Sequence, residues 1–156
     1  MLLPGGKYNL SDVSASIGLS QLPKLEAFNA QRRTLASRYF ERLRSAPAVS
    51  LPEPGDEGHS WHLLAPLLPL SQLRISRGDF IRAMHARGIG VGVHYPALHL
   101  FSAYRKLGCT EGRFPNAERI GRETVTLPLF PTMSFDDVDR VCDSLDEVLR
   151  EGAKHR

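Results

Sequence analysis

Three short stretches of this 156-residue chain place polar side chains in turn-like or glycine-rich surroundings: Tyr8-Asn9, His59 to His62 around the single tryptophan Trp61, and His94-Tyr95-Pro96. Amides, imidazoles and phenols on loops can hold oxygen-rich ligands or move protons. The competing reading is structural: Asn9 caps a helix, Trp61 packs in the core and the histidines bond locally. Other chemistries fit less well. Gly5-Gly6-Lys7 lacks the longer glycine spacing of a phosphate-binding loop, and Tyr8 stands where a Ser or Thr would follow the lysine. His59/His62 and His94/His99 have no matching carboxylate or cysteine at ligand spacing, so no metal site is expected. No Gly-x-Ser-x-Gly elbow presents a serine for attack, which leaves hydrolysis unsupported.

The elements that must position these residues follow from hydrophobic period and capping. Ser11 can cap a helix start, with Asp12 favourably placed against the helix dipole. Val13 and Ile17 lie one turn apart, and the small residues Ala15, Ser16, Gly18 and Ser20 allow close approach of another backbone, predicting a buried helix. Pro23 re-sets the chain, and Leu25, Phe28, Leu35, Tyr39 and Leu43 predict a long helix from about Pro23 to Arg44. Trp61 to Leu70 has the length and apolarity of a strand, with Pro66 and Pro69 confining part of it to a sheet edge. Ser76 with Asp79 forms a capping-box start, Phe80, Ile81 and Met84 make the apolar stripe, and Gly88 ends that helix. Ile89 to Tyr95 reads as a short strand whose glycines admit another backbone or a ligand. Short helices are expected at Leu98 to Lys106 and Asn116 to Arg122, and a strand at Val125 to Phe130. Ser134 opens a last helix carrying Val138, Val141, Leu145, Val148 and Leu149 on one face. The fold class is α/β, an α+β sandwich: a short, mostly antiparallel sheet covered by helices and preceded by a long helix. Residues 1–156 read as a single domain, with a leading helical segment at 1–46, a linker at 47–58 and the sandwich at 59–156.

Composition narrows the class. A chain that is 42% hydrophobic and 24% charged is ordinary for a globular domain, and at this length it can bury roughly 68–70% of its unfolded surface. No apolar run approaches the roughly 20 residues of a membrane span, and the first residues lack the pattern of a secretory signal, so a cytoplasmic protein without membrane partners is expected. Cys109 and Cys142 have neither metal-site spacing nor disulfide density and read as free thiols. A net charge of +3 does not indicate nucleic-acid binding. Its distribution is uneven. Arg32 to Arg44 holds five arginines against Glu41, and Asp136 to Glu151 holds seven acids against Arg140 and Arg150. Solvated helix faces are the plain reading. A basic face that attracts a phosphorylated small molecule is the other.

Longer motifs carry more. Gly6-Lys7-Tyr8-Asn9-Leu10-Ser11-Asp12, then Ser14 to Leu22, then Leu25-Glu26-Ala27-Phe28-Asn29-Ala30-Gln31-Arg32-Arg33, resemble the start of the carboxyl-terminal half of the DegT/DnrJ/StrS-type sugar aminotransferases. His59-Ser60-Trp61-His62-Leu63, Arg87 to Pro96 with Leu98-His99, and Leu127-Pro128-Leu129-Phe130-Pro131 are similar to that family as well, in its order and over almost the whole chain.

The resemblance implies the small carboxyl-terminal domain of a fold-type I transaminase. Such an enzyme uses pyridoxal phosphate to move an amino group from glutamate to a keto sugar on a nucleotide diphosphate, in the making of cell-surface polysaccharide or lipopolysaccharide sugars, and acts as a homodimer. In the family a lysine holds the cofactor covalently. The half that carries this lysine, the acid paired with the pyridine nitrogen and most phosphate ligands is absent from this sequence. Of the four lysines present, Lys24 and Lys106 fall on predicted helices, Lys154 is in the tail and Lys7 belongs to the motif after the cofactor lysine. None matches the attachment residue, so no catalytic residue is expected in this chain. The resemblance carries over at Asn9, whose amide would donate to the cofactor phosphate of the opposite subunit, and at His94 and Tyr95, which would border the nucleotide-sugar site. Gly6 replaces a common aromatic residue and Pro66 interrupts a usual strand. The alternative function is a free-standing, non-catalytic domain that binds a nucleotide sugar or a protein.

Overall fold

The computed structural model describes residues 8–44 and 49–154. The Gly5-Gly6-Lys7 stretch and Pro47, at the expected start of the linker, lie outside the described residues. Among the described residues six α-helices follow in order: α1 (Asp12–Gln21), α2 (Leu25–Arg44), α3 (Arg77–Ala86), α4 (Ser102–Arg105), α5 (Pro115–Glu123) and α6 (Phe135–Glu151). Short 3-10 turns stand at Leu22–Lys24, Leu70–Gln72 and Leu98–Leu100.

Local chemistry sets the helix starts. Ser11 Oγ accepts the Ser14 N–H at 3.2 Å at the head of α1. Both expected later starts are full capping boxes: Ser76 Oγ takes the Asp79 N–H at 3.2 Å while Asp79 takes the Ser76 N–H at 2.9 Å. Ser134 and Asp137 repeat the exchange at 3.1 and 2.8 Å. Each such cap is worth about 1 kcal/mol. Gly88, at φ 74°, turns the chain out of α3 in a conformation that a side chain would oppose.

The core is one cluster. α2 brings Leu35, Ala36, Tyr39 and Leu43, and α6 brings Val138, Val141, Cys142, Leu145, Val148 and Leu149. Between and beside them lie Leu64 and Leu68, Phe80 and Met84 of α3, and Val125 and Leu127. The Tyr39 hydroxyl donates to the Pro128 carbonyl at 2.8 Å, so its polar end is satisfied inside the core. Cys142 is a buried free thiol, pushed up to about 12 chiefly by desolvation, and is inert on that account.

The two charge clusters are not wholly separate solvated faces, since two arginines of the one meet two acids of the other. They interlock. Arg38 clasps Asp139 through Nε at 2.9 Å and a terminal nitrogen at 2.7 Å, and Arg42 pairs with Asp143 and, at 3.6 Å, with Asp139. Ion pairs thus rim the α2–α6 contact, the forked guanidinium supplying direction.

Four expectations need correction. First, α1 buries none of its residues, and Val13, Ile17 and Leu19 are exposed. The small residues expected to admit a neighbouring backbone meet none here; a Cβ added at Gly18 would have nothing within 4 Å. Second, the expected strands are not continuous among the described residues. Pairing consists of isolated antiparallel bridges: Ser50 with Leu67, Leu64 with Leu127, Leu67 with Thr124, Leu73 with Ala153, and Gly92 with Thr126. The Leu64 and Leu67 bridges share one register, in which Pro66 faces Val125. Pro66 accepts the Val125 N–H at 3.1 Å but has no N–H to return, which splits the ladder. Third, Leu67 exchanges bonds with Ser50 at 2.9 and 3.0 Å while Leu68 donates to Glu123 at 2.9 Å, so this segment is paired on both sides and does not form an edge. Leu98 to Lys106 is also a 3-10 turn followed by a four-residue helix, in place of one helix. No helix among the described residues is long and apolar enough to cross a membrane.

Four carboxylates are held below the ordinary range by their partners: Asp79 by Ser76, Asp137 by Ser134, Asp139 by the Arg38 guanidinium and Glu118 by His99. A folded-state pKa below the unfolded one gives stability that is complete above the unfolded value and lost as pH falls through the folded value. The urea midpoint should therefore drop below about pH 4, where carboxylates begin to protonate. Equal midpoints at pH 5 and pH 3 would contradict these pairings.

Candidate functional site

The segment 89–99 is built on close approaches. Ile89 is buried behind the turn at Gly88, and Gly92 exchanges backbone bonds with Thr126 at 3.0 and 2.8 Å. The chain then folds the His94 ring back over Gly92: a Cβ there would lie 2.9 Å from His94 Cε1. The space at Gly92 thus serves the protein's own imidazole. Gly90 has nothing within 4 Å of an added Cβ and stays open.

His94 is half-buried, with Nδ1 2.8 Å from the Thr126 hydroxyl. With that hydroxyl as donor, the proton sits on Nε2, which is left to donate outward. Tyr95 is 65% exposed and meets the imidazole edge-on, ring centroids 4.8 Å apart. An imidazole fixed at one nitrogen, beside an exposed phenol, suits hydrogen bonding to a polyoxygenated ligand. Thr126 was not legible as a partner, because it lies 32 residues away on a segment read only as a strand.

Asn9 is exposed ahead of α1 and makes no side-chain hydrogen bond among the described residues. Ser11, not Asn9, is the cap, so the amide is not spent on the helix start. Asn9 shares no bond with His94 or Tyr95, and the fold does not bring them together. In the His59 to His62 stretch, Trp61 and His59 take the structural reading, while His62 is exposed. Trp61 is buried against Phe40, ring centroids 5.4 Å apart, and its backbone N–H donates to His59 Nδ1 at 3.0 Å.

His99 has a carboxylate partner after all. Glu118 of α5 sits 2.9 Å from its Nε2, both side chains buried, a pairing hidden by 19 residues of sequence. One acid and one imidazole do not make a metal centre, and no group of three potential ligands occurs among the described residues. Lys24 and Lys106 are exposed, and the exposed Lys154 donates to the Ser71 carbonyl at 2.8 Å.

The sequence profile of the DegT/DnrJ/EryC1/StrS aminotransferases matches residues 1–146. The chain belongs to that family. An uncharacterised protein of Methanocaldococcus jannaschii is 36% identical over 149 residues, covering 94% of this chain and 39% of its own length. Among solved structures, the aminotransferase TlmJ of Streptoalloteichus hindustanus is 34% identical with a TM-score of 0.78, over 94% of this chain and 38% of that one. DesV of S. venezuelae is 30% identical with a TM-score of 0.79, over 89% of this chain and 36% of that one. The chain therefore spans less than two fifths of the length of each of these three relatives. The family depends on pyridoxal phosphate, and its fold is that of the type I aminotransferases.

Proposed function

We propose that this chain is the carboxyl-terminal domain of a cytoplasmic, pyridoxal-phosphate-dependent nucleotide-sugar aminotransferase that works as a homodimer. It transfers an amino group from glutamate to a keto sugar on a nucleotide diphosphate, for cell-surface polysaccharide or lipopolysaccharide synthesis. The observation that carries this reading is a family match along nearly the whole chain combined with coverage of 36–39% of the relatives' lengths. The bare apolar residues of α1 fit a domain that the remainder of the enzyme covers. The motifs are similar in particular to those of the aminotransferase forming UDP-4-amino-4-deoxy-L-arabinose, which makes UDP-linked keto sugars the first substrates to try.

The residues fit one corner of the cofactor. The uncommitted amide of Asn9 can donate to its phosphate, whereas the lysines among the described residues are exposed and offer no prepared pocket for the aldehyde. When bound, the cofactor withdraws electrons from the carbon that loses its proton. His94 and Tyr95 position the sugar diphosphate by hydrogen bonding, while Thr126 holds His94 at Nδ1.

In the complete enzyme, His94→Ala should raise KM for the nucleotide sugar about tenfold and lower kcat less, as expected for a contact made in both ground and transition states. An unaltered KM with an intact fold removes His94 from the site. Asn9→Ala should raise the cofactor Kd with little change in Tm, and unchanged cofactor affinity would refute its phosphate role.

A further inference from the structure

The direction of His94 and Tyr95 is fixed at one end by Thr126. At the other end the chain runs through Pro96 and Ala97 into the 3-10 turn Leu98–Leu100, and α5 grips that stretch twice. Glu118 Oε1 accepts from His99 Nε2 at 2.9 Å, from the Gly112 N–H at 2.8 Å and from the Phe114 N–H at 3.4 Å. The Phe114 ring closes edge-on over His99, ring centroids 4.9 Å apart. Glu118 is 4% exposed, so this carboxylate has been drawn out of water and spent on three donors from two separate segments.

One turn further along α5, Gly121 gives the second grip. A Cβ there would lie 2.6 Å from the Ala97 nitrogen and 3.3 Å from the Pro96 carbonyl carbon. Backbone cannot yield as the end of a flexible side chain can, so only glycine admits this approach. Arg77 of α3 holds the same place from behind, donating to the Gly121 carbonyl at 2.6 Å.

We propose that Glu118 and Gly121 are positioning residues: through His99 and the Pro96–Ala97 backbone they set the direction in which His94 and Tyr95 face the nucleotide sugar. The assignment rests on the reading that His94 and Tyr95 border that site. Neither Glu118 nor Gly121 touches substrate. Pro96 makes the coupling stiff, since its ring fixes φ between the gripped residues and the presented ones.

The test begins with the 156-residue chain carrying 15N-labelled histidine. Gly121→Ala should move the His94 ring-nitrogen signals. Glu118→Ala should do the same and speed hydrogen exchange at the Gly112 and Phe114 amides about tenfold or more, as local protection is lost. Glu118→Gln keeps an oxygen acceptor and should restore part of that protection, which a general loss of stability would not allow. Trp61 fluorescence reports that the core remains folded. His94 signals that stay fixed in both Gly121→Ala and Glu118→Ala with the core intact overturn the proposal.

In the complete enzyme, Gly121→Ala should raise KM for the nucleotide sugar several-fold more than it lowers kcat. If His94→Ala leaves KM unaltered although His94 moves in the variants, the reading of His94 as a substrate contact fails, and with it the functional part of the assignment. If His94→Ala raises KM but Gly121→Ala does not, positioning through α5 is refuted while that reading stands.

Discussion

Mixed with pyridoxal phosphate and reduced with borohydride, the 156-residue chain should emerge with no lysine stoichiometrically labelled, and it should transaminate no nucleotide sugar. Covalent capture of an aldehyde at neutral pH needs an amine that is uncharged part of the time and a pocket that keeps the linkage from water. Lys24 lies exposed on the turn between α1 and α2, Lys106 is exposed just after α4, and Lys154 donates to the Ser71 carbonyl. Mapping by mass spectrometry settles the point. A single lysine labelled in full, together with amino transfer, would make this chain an enzyme by itself and overturn the proposed division of labour.

Trp61→Ala should destabilise the fold by about 3–5 kcal/mol, the range for removing a large aromatic side chain from a packed interior. For a domain of this size that corresponds to a fall in Tm of roughly 6–20 °C. The tryptophan stands at φ 45°, a left-handed conformation that a bulky residue adopts only when its surroundings hold it. Phe40 of α2 meets it edge-on, and the tilted ring of His59 lies 4.1 Å away between centroids. Alanine would keep the unfavourable backbone and lose the packing that sustains it. Calorimetry of the variant checks the value, and a Tm within a degree or two of the parent would show that Trp61 is not anchored there.

What could be read from the sequence was what neighbours in sequence decide. Ser76 with Asp79 and Ser134 with Asp137 needed only a spacing of three, and Val138 to Leu149 needed only the helical period; all fall as expected. Pro66 announced a broken strand, but the chain that pairs on each side of it could not be known from a run of apolar residues. The fate of α1 was misjudged for a related reason. Small residues say that a helix can be approached, not that anything in the same chain approaches it. At the candidate site, His94 and Tyr95 were found by resemblance and by their place after a glycine-rich stretch. Their supports escaped, because Thr126 and Glu118 are 32 and 19 residues from the histidines they bond. Gly121 offered only a small residue three places after Glu118 on a charged helix, a hint that gains meaning once Ala97 is seen against it.

The clasp of Arg38 on Asp139 joins residues 101 apart. During synthesis α2 leaves the ribosome long before α6 exists. At about 5–20 residues per second, the interval is roughly 5–20 s. Throughout it, Leu35, Tyr39 and Leu43 have no α6 to cover them, and the core cannot close until the last helix is made. A domain in which α2 packs against the much later α6 folds from distant contacts, which slows it. Shortening α6 from its carboxyl end would remove Val148 and Leu149 from the core, and so would lower the stability of the finished fold as well as prolong that exposure.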